Sequence, residues 1–141
     1  MKRMLWILNP HAGRGAMSGK IIDCVTAFQQ AGYDVTIYIM QGAQDATRVA
    51  RERAGEFDRI VCAGGDGTLN EVITGLMQVE SRPVLGYVPA GTTNDFAFSL
   101  GISKVPAEAA VIAAGDTLQA LDIGRFNDRY FNYVAAFGAF Y

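Results

Sequence analysis

Gly64-Gly65-Asp66-Gly67-Thr68-Leu69-Asn70-Glu71-Val72 decides how the rest of this chain is read. The stretch follows an apolar run, Arg59-Ile60-Val61-Cys62-Ala63, that predicts a buried strand. It precedes a helical spacing of Val72, Ile73, Leu76, Met77 and Val79. A strand, a turn poor in side chains with one carboxylate, and a helix start are therefore expected in that order. Glycines let backbone N–H groups approach a ligand closely, and a helix N-terminus attracts anions such as phosphate. An aspartate inside an anion site makes sense when a divalent cation stands between it and the phosphates. The pattern implies a nucleotide-phosphate site with magnesium.

Two other phosphate signatures are excluded. No G-x-x-x-x-G-K-[ST] occurs. Gly13-Arg14-Gly15 follows the first predicted strand, but Ser18 replaces the third glycine of a dinucleotide fingerprint. Met40-Gln41 also stand where an acidic residue would close strand two.

The flanking sequence alternates strand and helix. Met4–Leu8, Val35–Met40, Arg59–Ala63 and Val84–Val88 predict strands. Lys20–Ala31 predicts a helix capped by Ser18 and closed by Gly32, with Ile21, Ile22, Val25 and Phe28 on one face. Further helices are expected from Asp45 to about Glu56, with Ala46, Val49 and Ala50 inward, and from Pro106 to Ala114. Leu118–Ile123 reads as another strand. This order implies an α/β fold, a parallel sheet with helices on both faces. Ligands in such sheets lie at the carboxyl ends of the strands, where the turns after Leu8, Ala63 and Val88 fall.

Composition narrows the classes. At 141 residues, half of them apolar, the chain suffices for one cored domain, and a net charge of −2 leaves no basic footprint for nucleic acid. Cys24 and Cys62 sit in apolar patterns and read as buried free thiols of a reducing compartment. The apolar run after Met1 stops at Asn9-Pro10, too short for a secretion signal, and no stretch approaches a membrane span. A soluble, cytoplasmic chain is expected. The segment from Asp128 to Tyr141 is aromatic and strand-like and ends without a polar terminus. A bare apolar strand invites a cover, so residues 1–125 read as one domain and residues 126–141 as the start of a second, cut short. The alternative is a tail folded back as an edge strand of the first domain.

Three motifs carry a family resemblance: Asn9-Pro10-His11-Ala12-Gly13, then Gly64 to Val72, then Pro89-Ala90-Gly91-Thr92-Thr93-Asn94-Asp95-Phe96-Ala97. In this order, over a likeness running from Met4 to the end, they resemble the catalytic domain of diacylglycerol kinases. The soluble bacterial lipid kinases of that superfamily, which includes sphingosine and ceramide kinases, are the most similar. The resemblance implies a three-layer αβα domain like that of phosphofructokinase and NAD kinase, followed by a β-sandwich, in an enzyme of about twice this length. It implies ATP in the cleft and transfer of its γ-phosphate to a lipid hydroxyl. Asn9, Pro10, His11, Ala12 and Gly13, together with Gly64, Gly65, Asp66, Gly67, Thr68, Leu69, Asn70 and Thr92, would contact the nucleotide. Asp66 and Asp95 would stand near its phosphates and magnesium (Mg2+), and the general base would lie in the second half. The partners implied are ATP and a membrane lipid such as diacylglycerol, met by peripheral contact with the inner membrane surface. A homodimer stays open.

The pattern is broken at Ala12, where serine is common, at Met40, where relatives often have threonine, and at Phe98, where a basic residue is frequent. Several residues also have plainer readings. Asp66 reads as a metal-side ligand or a helix cap, and Asp95 as a ligand, a cap or both. Asn70 suits either a nucleotide contact or a helix start, and His11, Arg14 and Lys20 suit solvated surface. Two other functions fit the residues: NAD kinase, which shares G-G-D-G-T, and a non-catalytic nucleotide-binding module.

Overall fold

A computed structural model describes residues 1–90, 105–116, 119–121 and 133–136. Strands β1 (Lys2–Leu8), β2 (Tyr33–Ile39), β3 (Arg59–Gly64), β4 (Val84–Pro89), β5 (Gln119–Leu121) and β6 (Tyr133–Ala136) form one sheet in the order β2-β1-β3-β4-β6-β5. All neighbours run parallel except β5, which is antiparallel to β6. Helices α1 (Ile21–Gln30), α2 (Asp45–Arg53), α3 (Asp66–Leu76) and α4 (Pro106–Ala113) cover it. The expected α/β architecture is the one observed.

Alternation along the strands builds two cores. On β1, Leu5 and Ile7 join Ile60, Cys62, Leu85 and Tyr87 beneath α2 and α3, with Ala46, Val49 and Ala50 inward as expected. Met4, Trp6 and Leu8 face the other way, onto Cys24 and Phe28 of α1 and the alanines of α4. Both faces of the central strands are therefore apolar, as a covered parallel sheet requires. Cys24 and Cys62 are free and buried; burial, then the charge of Asp23, pushes the Cys24 thiol up to about 11. Buried Arg59 donates to the carbonyls of Ala113 at 2.8 Å and Gly115 at 2.6 Å, fastening the end of α4 to β3.

Three expectations change. Ser18 does not cap α1: Ala12–Lys20 forms a 3-10 helix, and Lys20 is the N-cap of α1 without a side-chain bond. The helix expected to reach Glu56 is α2 followed by a 3-10 turn, Ala54–Glu56. β6 comes from the segment read above as the start of a second domain or as a tail folded back on the first. It pairs parallel with β4, Leu85 opposite Ala135 and Gly86 opposite Ala136, and it carries β5 on its other side. Its backbone thus belongs to this sheet, and as an inner strand. A tail folded back on the first domain was the alternative given above, but as an edge strand; the sequence does not show the partner or the inner position.

The chain steps from β1 outward to β2 and then returns past β1 to β3. Right-handed crossovers then put α1 on one face and α2 and α3 on the other. The order reverses between the carboxyl ends of β1 and β3, where such sheets hold their ligands.

Helices α2 and α3 meet at Gly75, where an added Cβ would strike the Thr47 carbonyl and press on Ala50 at 3.0 Å. Gly75→Ala is expected to cost about 2 kcal/mol by overpacking, visible as a drop in the thermal unfolding midpoint. A wild-type midpoint would contradict this packing.

Candidate nucleotide site

The loops at the carboxyl edge are laced together by backbone bonds that continue the sheet ladder. Asn9 N–H donates to the Ala63 carbonyl at 3.0 Å, Met40 N–H to Leu8 at 2.8 Å, and Ala90 N–H to Gly64 at 2.9 Å. Four strands thus release their loops at one level.

Asn9 organises the first loop. Its Oδ1 accepts the His11 N–H at 3.0 Å, an Asx turn, and its carbonyl accepts the Ala12 N–H at 3.2 Å. Its Nδ2 donates to Thr68 Oγ1 at 3.3 Å, tying the loop after β1 to the first turn of α3. Thr68 is buried against Gly64, where a Cβ would lie 2.5 Å from its Oγ1 and 2.7 Å from its Cβ. The Gly64 carbonyl also accepts the hydroxyl of buried Tyr87 at 3.0 Å. Burial, then the charges of Cys62 and Asp66, pushes that hydroxyl upward in pKa.

Gly65 is the N-cap of α3, extended at φ −87° and ψ −172°, and no side chain caps the helix. Asp66 is the first helical residue, half-buried, and Gly67 is exposed with open space around it. Cap and ligand were both open for Asp66; it is not the cap. A cleft of about 280 Å³ opens beside this edge, with Asn9, Pro10 and His11 facing Met40–Ala43 and Glu71 contributing to its lining. A larger hollow of about 820 Å³ shares Gln41, Gly42, Ala43 and Glu71 and adds Asn70 and Thr74.

The site residues expected from sequence divide accordingly. Asn9, Pro10 and His11 line the smaller cleft and Asn70 the larger hollow. Gly64, Gly65, Asp66 and Gly67 form the β3–α3 junction. Thr68 is used internally, Leu69 is wholly buried in the core beneath α3, and Ala12 is buried where Gly13 continues the 3-10 helix. Thr92 and Asp95 lie outside the described residues. Among the described residues no three His, Cys, Asp or Glu groups gather to hold a metal ion.

The sequence model of the diacylglycerol kinase catalytic domain matches residues 3–126. The chain belongs to that family. It is 44% identical to a diacylglycerol kinase of Bacillus subtilis, covering 98% of this chain and 46% of that protein. A diacylglycerol kinase of Staphylococcus epidermidis is 41% identical over 97% of this chain and 44% of its own length. The crystal structure of a diacylglycerol kinase from Bacillus anthracis superposes with a TM-score of 0.76 at 35% identity, over 84% of this chain and 44% of that one. The chain spans less than half the length of the curated relatives it matches.

Within this family domain, sequence reasoning passed over the β2–α2 loop and Glu71, which line both hollows. Asp45 pins that loop from one side. Its Oδ2 accepts the Tyr38 hydroxyl at 2.7 Å and the Gln41 N–H at 2.8 Å, and its Oδ1 accepts Arg48 at 2.6 Å. A carboxylate directly after a glycine-containing turn was the available signal.

The Tyr38 hydrogen bond first, with Gln41 and Arg48 behind it, holds the Asp45 carboxyl below its usual 3.8. A depressed folded pKa means stability that is present above 3.8 and lost as pH falls through the lower folded value. The unfolding midpoint of wild type should therefore exceed that of Asp45→Asn at pH 7, with the gap closing below pH 3.8. A gap that stays constant on acidification would contradict this.

Proposed function

We propose that this chain is the nucleotide-holding part of an ATP-dependent lipid kinase, which transfers the γ-phosphate to a hydroxyl of diacylglycerol or a similar membrane lipid. The observation that carries it is the Asn9–Thr68 bond, which joins the loops after β1 and β3 at the point where strand order reverses. Family membership gives the reaction class.

Phosphoryl transfer is catalysed mainly by positioning and by offsetting charge. The β3–α3 junction offers backbone N–H groups, the positive end of a helix dipole, and an exposed Gly67 with open space around it. Asp66 is the one described carboxylate at that junction. A single carboxylate suits magnesium that arrives on phosphates better than an ion caged by protein. Asp66 would hold it, with Asp95 as second candidate, and it would offset phosphate charge as a Lewis acid.

Among the described residues, the other carboxylates near this edge are committed elsewhere: Asp45 to Tyr38, Gln41 and Arg48, and Glu71 to the amides of α2. The proton of the lipid hydroxyl then goes to a base outside this chain, in a second domain of the full-length gene product. The lipid is met at the bilayer surface by peripheral contact. Among the described residues no helix is long and apolar enough to cross a membrane.

The test is transfer of labelled γ-phosphate from ATP to diacylglycerol and sphingoid lipids. The full-length gene product should be active, chelation of divalent cations should abolish transfer, and residues 1–141 alone should transfer none. Asp66→Ala should lower kcat about 100-fold or more, in line with the loss of one charge-stabilising group. Equal rates for Asp66→Ala and wild type, or turnover by residues 1–141 at the full-length rate, would overturn the proposal.

A further inference from the structure

Glu71 sits in α3 next to fully buried Val72, and its Oε1 is buried and accepts no hydrogen bond among the described residues. Burial raises its pKa, and the N–H groups of Ala46, Gln44 and Thr47 act against that by stabilising the charged form. Those three amides are the start of α2. The N-cap there, Gln44, makes no side-chain cap bond and stands at φ 67°, a left-handed conformation that a residue with a Cβ rarely adopts. First-turn amides require an acceptor, which a Ser, Thr, Asp or Asn at the N-cap ordinarily provides. Here it comes from the neighbouring helix. A second bond runs the other way, from the Thr47 hydroxyl to the Glu71 carbonyl at 2.8 Å.

We propose that Glu71 is a positioning residue for nucleotide: from the helix that begins at Asp66, it holds Gln41–Gln44 as the wall between the two hollows. The loop reaches that position in a strained conformation, which must be over-determined to persist. Asp45 fixes its β2 side and Glu71 its α3 side. A helix cap serving stability alone would have no need of a carboxylate with one oxygen unmatched, and would not have to come from the element that carries Asp66. Without Glu71 the wall swings, and ATP binds more weakly while the transfer step is unaltered. This rests on the kinase reading above.

The test uses the full-length gene product with Glu71→Ala and Glu71→Gln. Hydrogen–deuterium exchange without ligand should show the Ala46 and Thr47 amides exchanging at least ~10-fold faster in Glu71→Ala, the loss of one capping interaction. KM for ATP should rise about tenfold, with kcat within about twofold and lipid KM unchanged. Glu71→Gln, which retains one acceptor oxygen, should fall between, and it carries the comparison if the alanine variant does not fold. Wild-type protection at these amides, faster exchange with an unchanged ATP KM, or a loss confined to kcat would each overturn the proposal. A wild type that transfers no phosphate defeats the kinase reading instead. The exchange rates then decide the pinning by themselves.

Discussion

The missing side chain at Gly64 is the constraint on which the carboxyl edge depends. Its empty Cβ position is filled by Thr68, whose hydroxyl receives Asn9 from the loop after β1. Its carbonyl takes the Ala90 N–H and the Tyr87 hydroxyl, both on the β4 side. One residue thus couples three strands and the start of α3. Any side chain there would meet Thr68, displacing the hydroxyl that receives Asn9 at the start of α3. The first glycine of the motif is a packing device before it is a ligand contact.

Much of the charge described around this edge is paired within the chain. Arg48 is engaged by Asp45 and Glu52, and Arg53 by Glu56. The Arg48–Glu52 and Arg53–Glu56 pairs are exposed and worth little to stability, while Arg51, the third cation of α2, reaches Gln78 at 3.5 Å and lines the larger hollow. At Asp45 the pairing has a further effect, because the same carboxylate orders the Gln41 backbone. For the kinase reading proposed above, the oriented amides of the loops and the Arg51 side chain are, among the described residues, the groups available to an anion. Oriented amides need no reorganisation as charge moves during transfer.

How much of this could be read from the sequence follows the range of the interactions. The strand–glycine–helix junction was legible because each part has a local signature: an apolar run, a side-chain-poor turn, a 3.6-residue period. The inward faces of α2 and α3 were legible for the same reason. The 3-10 helix Ala12–Lys20 was not, since its glycines suggest an open loop. Nor was the place of β6, since pairing with β4 depends on residues some fifty positions away. Glu71 was hidden in plain view: quoted within the motif, it took its role only when α2 was packed against α3. Sequence pointed to a candidate site, and tertiary structure shows which contacts hold its loops together.

The two departures from the family pattern that the structure describes can now be weighed. Ala12 and Met40, at 8% and 9% exposure, are both buried, and Met40 also contributes to the wall of the smaller cleft. The Met40 N–H reaches the Leu8 carbonyl and the Ala12 N–H the Asn9 carbonyl whatever those side chains are. A threonine at Met40 would place a hydroxyl against the apolar cluster beneath α2, where it needs a partner of its own. Methionine, flexible and polarisable, fills the space beside Ile7 and Ala46 in that core instead. The backbone bonds that set the shape of this edge do not depend on which side chains these positions carry.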